Sequence, residues 1–320
     1  MSATTTTPNQ FLRSFKLLVA NSPVEGFSSS VGTQIDESLR CTFEIFANDV
    51  ETPNHAVITI YNLFEDTQNK IINEYDTVIL QAGYRNGNFG VIFKGTIKQF
   101  KRGRERNVDN YLRILAADGD LAYNFGVINQ TFNAGSSPQQ QLAAAAASAN
   151  IPVDQNANNF LVGGVILSPR SKAAFGLMRN YMRDLADTYN CRWSIQNGVL
   201  TLIPMNGYLP GAAVQINSGT GMIGVPEATD DGIHVTTLLN PLIKVGYLVQ
   251  INNADIAQST PERFGLSFTR PPVPLATTTN DGFYRVLVVE HHGDTRGQDW
   301  YTELTCISLT APGGIVLPAG

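Results

Sequence analysis

Charge is scarce in this 320-residue sequence: Asp, Glu, Lys and Arg make up 15% of it, where about a quarter is usual for a soluble domain. Cysteine is scarce too. Cys41, Cys191 and Cys306 lie far apart with no CxxC pair, so neither a disulfide framework nor a structural zinc site is indicated; each is expected at a small apolar core position. There is no run of about 18 apolar residues, so no membrane-spanning helix is expected and a membrane is not an expected partner. The start, Met1-Ser2-Ala3 and then Thr4 to Thr7, has neither the basic beginning nor the apolar centre of a signal peptide, and Sec-dependent secretion is not expected. The formal net charge is −5, without the basic excess of a dedicated nucleic-acid binder, so no specific nucleic-acid partner is expected. GxSxG, HExxH, a Walker loop and a GxGxxG leading into a helix are all missing.

Apolar material, in contrast, is ample. Hydrophobic residues make up 43% of the chain, with 16 Phe and 11 Tyr, which excludes disorder as its general state and leaves room for two or three compact units. Residues 1–10 read as a disordered, Thr-rich leader. Beyond it the period is mostly that of strands: 39–46, 55–62 with Ala56, Ile58 and Ile60 alternating, then 77–84, 90–100 and 110–117. A short helix is expected from Glu65, and a polar, charged hairpin spans 101–109. The middle changes character. Ser137-Pro138 caps a helix through QQQLAAAAASA, and a second helix over 171–189 places Ala174, Met178, Tyr181, Met182, Leu185 and Tyr189 on one face. A hairpin follows, with Asn197-Gly198 turning between 191–195 and 199–203. Strands return at 213–217, 233–238, 247–251, 284–291 and 300–309, interrupted by a Pro- and Thr-rich loop over 271–282. The fold class expected is therefore α+β, mainly β: a β unit over 11–129, an α/β helix-plus-hairpin insert over 130–205 and a second β unit over 206–320.

The two β units share a layout. DTVILQAGY, VIFKGTIKQF, the hairpin RGRERNVDN and YLRILAADG in the first correspond to KVGYLVQIN, YRVLVVEHH, the hairpin GDTRGQD and WYTELTCIS in the second. Identity is slight, and the match is one of pattern. If the units repeat in structure, three chains would place six like modules around a ring.

Constellations for chemistry are sparse. His291 and His292 are neighbours on a strand, so they point to opposite faces and cannot share a metal; one is expected in a core or against a neighbouring subunit and the other in solvent. The carboxylate pairs Glu65 and Asp66, Asp118 and Asp120, Asp230 and Asp231, and Asp294 and Asp299 sit mostly in turn contexts, where Asp serves the backbone. No cofactor and no metal are expected. Lys98, Lys101, Arg102, Arg104 and Arg106 form the densest basic patch, interrupted by Glu105 and Asp109 and without interleaved aromatics for stacking bases. It reads either as a solvated hairpin end or as a docking contact for an acidic neighbouring protein. Lys101, Arg102, Arg104, Arg106 and, on the second hairpin, Arg296 are the candidate contacts between subunits or between rings.

NHAVITIYNLFEDTQNKI (54–71), VILQAGY, VIFKGTIKQF and LRILAADGD (112–120), followed by NCRWSIQNGVLTLIP, TGMIGVPEATDDGIHVTTLLNP (220–241) and YRVLVVEHHGDTRGQDWYTELTC (284–306), resemble in order and spacing the baseplate hub proteins of contractile-tailed bacteriophages. They are similar also to the N-terminal part of the VgrG proteins of type VI secretion. The resemblance implies a homotrimer in which each chain contributes two β-barrel-like tube domains, so that a threefold hub presents six modules to the tail tube. It implies as partners the tail tube or a tube-initiator protein, a central spike protein and other baseplate proteins, and as location the tail baseplate of a virion assembled in the host bacterial cytoplasm. A structural, non-enzymatic adaptor is the leading expectation. A cell-wall hydrolase of the tail and a host-surface binding module are the alternatives.

Overall fold

The computed structural model describes residues 10–21, 32–35, 37–105, 109–161, 168–229, 232–252, 256–258 and 282–308. The first unit contains β1 (Arg13–Ala20), β2 (Gly32–Ile35), β3 (Cys41–Asn48), β4 (His55–Tyr61), α1 (Glu65–Glu74), β5 (Thr77–Tyr84), β6 (Phe89–Glu105) and β7 (Asp109–Ala117). Next come α2 (Asp120–Phe125), β8 (Val127–Phe132), α3 (Pro138–Ser148), α4 (Ala157–Phe160), β9 (Lys172–Leu177), α5 (Met178–Thr188), β10 (Cys191–Gln196) and β11 (Val199–Pro204). The last stretch holds β12 (Val214–Ile216), β13 (Met222–Ala228), β14 (Ile233–Leu238), β15 (Leu248–Ile251), β16 (Ala257–Gln258), β17 (Phe283–Asp294) and β18 (Trp300–Ser308). The chain is mainly β. Among the described residues no helix is long and apolar enough to cross a membrane.

Local chemistry explains most of these elements. In β4 the alternation buries Ala56, Ile58 and Ile60 on one face. Ser137 accepts from the Gln140 amide while the Gln140 side chain accepts from the Ser137 amide, a capping box that starts α3. Asn197 and Gly198 both take positive φ, 54° and 81°, as the two-residue hairpin turn between β10 and β11 requires. Two expectations are corrected. The helix expected over 171–189 starts only at Met178, because Gly176 adopts a φ of 132° and residues 172–177 pair with β8 instead. The hairpin over 101–109 is largely ladder rather than loop, since β6 runs on to Glu105 and β7 begins at Asp109; a ribbon with solvent on both faces accepts charge at every position. The leader up to residue 9, and the loop over 271–282 apart from Gly282, lie outside the described residues.

Twelve strands form one path, β16-β13-β14-β18-β17-β3-β4-β7-β6-β5-β1-β2, and β12 and β15 complete a 14-stranded sheet beside β17. No closed barrel occurs among the described residues. Where two barrel-like domains were expected, the single chain shows an open sheet with two like halves, because β17 pairs with β3 instead of closing on its own unit. The orders β3-β4-β7-β6-β5 and β13-β14-β18-β17-β15 correspond strand for strand and are antiparallel at every step. Even the irregularities match. The β6 to β7 register shifts between Ile97 and Gln99, and the β17 to β18 register shifts between Val286 and Val288, so Gln99 corresponds to Val288 and Glu105 to Asp294.

Three of the apolar clusters under this sheet and its insert each enclose one cysteine: Cys41, Cys191 or Cys306. Burial pushes the Cys191 thiol up to about 11 and the Cys306 thiol up to about 12, and it raises Cys41 as well, which leaves all of them unreactive. Trp300 and Leu239, from the second half, pack in the core of the first. There the Trp300 ring meets Phe43 edge-on at 5.4 Å, and Phe43 lies over Gly293, the residue opposite it in the β17 to β3 ladder.

The insert is held by its hairpin tip. Asp118, at the end of β7, accepts from the Asn197 amide and from the Gly198 amide at 2.8 Å. The Lys94 amide donates to Asn197 at 3.0 Å, and Asn54 donates to the Ile195 carbonyl at 3.1 Å. Beside them, Arg192 grips both oxygens of Asp49 at 2.8 and 3.0 Å. Buried Arg285 approaches Asp49 at 3.6 Å and donates to the carbonyls of Pro204, Met205 and Gly207, tying β3, the insert and β17 together.

A Cβ on residue 293 would come within 2.1 Å of the buried Phe43 ring, so Gly293→Ala should lower unfolding free energy by about 1 to 3 kcal/mol in denaturant melts. Desolvation raises the Asp118 carboxyl to about 8, against the opposing pull of the Gly198 and Asn197 amides and Lys94. The folded state therefore holds this proton more tightly than the unfolded state, whose value is 3.8; stability from this group is fullest in acid and falls as pH rises through about 8. Amide-exchange protection of the β10 to β11 hairpin should fall between pH 5 and 8 in the wild type, and Asp118→Asn should flatten that fall.

Candidate assembly interface

The register fixes which features share an end of the sheet. Asp294 lies opposite Thr42, Thr42 opposite Thr59, Thr59 opposite Arg113, and Arg113 opposite Lys101. The β17 to β18 and β6 to β7 hairpins thus project from the same end, and the insert occupies the other, beyond Asn48, Asn54 and Asp118.

Lys101, Arg102 and Arg104 are exposed on the β6 ribbon, and Arg102 donates to Asn69 on α1 at 3.0 Å. Arg106 lies outside the described residues. Arg296 is exposed at the second hairpin but turns back, donating to the carbonyls of Glu37 and Ser38 at 3.2 and 3.3 Å. The structure therefore sets Lys101, Arg102 and Arg104 along one exposed strand, Arg102 and Arg104 on one face and Lys101 on the other, and keeps Arg296 apart as a brace of its own hairpin. Arg40 supports that brace, pairing with Asp294 at 2.7 Å and lying over Tyr61 at 4.6 Å. Burial alone would raise the Asp294 carboxyl; hydrogen bonds from Arg40 and from the Arg296 and Gly297 amides outweigh it and hold the group below its usual range.

Strand edges complete the geometry. β5 accompanies β6 only as far as Thr96, so among the described residues 97–105 have β7 on one side and no strand on the other. In the second half β17 behaves differently: β15 covers 283–285 and β3 covers 288–294. The segment of β6 that corresponds to 288–294 is 99–105, an open edge. The counterpart of β3 is β13, whose outer side, among the described residues, meets β16 at Glu227 and Ala228. Ile223 and Val225 on that edge are 44% and 62% exposed, although edge strands in monomers usually avoid exposed apolar residues. Sequence reading missed this site, because an edge is legible only once the pairing of every strand is known.

Three of the carboxylates weighed as catalytic groups are engaged in holding structure. Asp118 binds the hairpin tip, Asp120 pairs with Lys98 and accepts from Asn124 at 2.9 Å, and Asp294 pairs with Arg40. Glu65 and Asp66 are exposed in the first turn of α1; Asp299 is exposed, and Asp230 and Asp231 lie outside the described residues. A cavity of about 450 Å³ opens where the insert meets both β halves, with Asp154, Lys244, Tyr247 and His291 among its lining residues. His291 is buried against Thr302, 2.9 Å from Nδ1, and desolvation together with His292 lowers it to about 3. The neutral imidazole fixed there is a packing group. Its neighbour His292 lies on the opposite, outer face, as the strand period requires.

The model of a family described as baseplate hub gp41 matches residues 24–256. No curated protein matches the sequence. Among solved structures, the 43 kDa tail protein of prophage MuSo2 from Shewanella oneidensis shares 9% identity at a TM-score of 0.54, over 92% of this chain and 98% of that one. A tail protein from Neisseria meningitidis MC58 shares 8% at 0.54, over 92% and 96%. A chain of the Francisella PdpA–VgrG complex shares 7% at 0.51, over 96% of this chain and 60% of that one. These likenesses extend the fold to phage tail and VgrG-related proteins. By the family match over most of its length, the chain belongs to the baseplate hub gp41 family, the structural hubs of phage tails.

Proposed function

We propose that the chain is a non-enzymatic adaptor: three copies form a ring that joins a threefold spike to a sixfold tail tube. The observation that carries this reading is the open edge of β6 over 99–105, which corresponds to a segment that β3 covers in the second half of the same chain. A second copy offering its β13 edge would meet that segment as β3 meets β17. Such a contact joins different patches of two chains, and a contact of that kind closes into a ring when its rotation permits. With two like halves per chain, three chains present six.

On this reading residues 11–129 and 206–320 are tube domains that become barrel-like only in the ring, and 130–205 is an insert carried at one end. Ile223 and Val225 lose their exposure at the junction, and Lys101, Arg102, Arg104 and Arg106 face Glu227 of the next copy or the adjacent ring. Arg296 holds its own hairpin in place for that contact. The spike, the tail tube or a tube-initiator protein and other baseplate proteins occupy the remaining faces, and assembly takes place in the host bacterial cytoplasm. The engagement of Asp118, Asp120 and Asp294 in structural bonds supports a role without catalysis.

Light scattering on the purified protein should give a mass of three chains alone, or of three chains plus the spike when the two are mixed. The double variant Ile223→Lys, Val225→Lys should stay a single chain and remain folded, with a far-ultraviolet circular dichroism spectrum like that of the wild type, since both side chains are exposed in the monomer. Lys101→Glu with Arg104→Glu should weaken association at least tenfold, because tip charges set register and encounter. A wild type that remains one chain under both conditions would overturn the proposal.

A further inference from the structure

Glu290, His292 and Glu303 bring one ligand atom each to within 4.8 Å of one another on the outer face of β17 and β18. The strand period explains the convergence. Glu290 and His292 are two residues apart on β17 and so stand side by side on one face, while Glu303 lies directly opposite Glu290 on β18. His292 Nε2 is 3.7 Å from Glu290. The imidazole is held by Tyr301, its cross-strand partner, stacked on it with centroids 5.0 Å apart and planes at 26°. On the other side of β17, Glu44 lies opposite His292.

Two carboxylates directly opposed across a ladder repel each other and destabilise the sheet. The fold does not require them. By the correspondence between halves, the positions of Glu290 and Glu303 are those of Lys101 and Arg113 in the first half, and the position of His292 is that of Gly103. The second half has therefore placed an imidazole and two acids on a scaffold that elsewhere carries two cations and no side chain. Two neighbours on one strand plus one residue across the ladder is an arrangement from which three side chains can meet one ion above the sheet.

We propose that Glu290, His292 and Glu303 form a binding site for a divalent cation of the zinc type, with water filling the open positions and Glu44 in reach as a further acidic partner. Zinc bonds to imidazole nitrogen and carboxylate oxygen measure about 2.0 to 2.2 Å. Closing the triad onto an ion requires movements of about an ångström at the ends of two flexible glutamates, both accessible to solvent. The imidazole gives preference for zinc over magnesium, which favours all-oxygen shells. Bound there, the ion would neutralise the opposed acids and cross-link the strands that carry the junction between the two halves.

Calorimetric titration of the full-length, EDTA-treated protein with zinc chloride should show one saturable site per chain and a raised melting temperature, with magnesium chloride giving neither. Glu290→Gln, His292→Gln and Glu303→Gln should each weaken zinc binding at least tenfold. Without metal, the two glutamine replacements of Glu should melt no lower than the wild type, since each relieves the opposition; His55→Gln, at a surface histidine on β4, should bind zinc normally. Absence of saturable binding, binding unchanged in all three variants, or equal affinity for magnesium would overturn the proposal.

Discussion

The pairing of β17 with β3 holds the molecule together. Residues 288–294 run against 42–48, and this one ladder turns two sheets of like topology into a continuous surface. Its apolar side is sealed where the ladder is tightest: Gly293 leaves space for the Phe43 ring, and Trp300 from the second half closes over it in the core of the first. The polar side of the same strands carries Glu290, His292 and Glu44. A single strand thus sets the relation between the halves, the burial of the junction and the chemistry of the outer face.

The same pairing gives the chain its polarity. Because the register aligns Asp294 with Lys101 through three intervening strands, both long hairpins leave one end of the sheet, and the insert docks at the other through Asp118, Asp49, Arg192 and Arg285. The low charge content of the sequence suits a chain whose sides are meant for contact, since charged residues are depleted in the cores of interfaces. On the proposed reading the basic side chains at the hairpin end set register between copies, while the ion pairs of Asp49 with Arg192 and Arg285 at the insert end act within the chain.

Much of the fold was legible in the sequence, and the reasons are local. β5 and β14 fall where the alternation of TVILQAGY and IHVTTL places them, and the Asn197-Gly198 turn and the Ser137 cap follow from backbone and side-chain chemistry alone. Segments decided by partners were harder. Residues 172–177 carry a helical face in sequence, yet they pair with β8 because the chain turns at Gly176. β13, broken by Gly224 and Pro226, has no period to detect and exists through its ladder with β14. Among the candidate contacts, Lys101, Arg102 and Arg104 were recognisable as a run of charge, whereas the open edge that makes them meaningful depends on where β5 stops. The grouping of Glu290 and His292 with Glu303 was hidden for the same reason, since the hairpin register, bulge included, decides what lies across from what.

The account rests on the open edge of β6 being the mating surface of a ring. Cryo-electron microscopy of the assembled tail, at a resolution that separates strands, tests it most directly. The account predicts three copies at the hub, with 99–105 of each chain laddered to the β13 edge of the next around a closed ring. Six copies, or a β6 edge that faces solvent while the chains meet elsewhere, would contradict it.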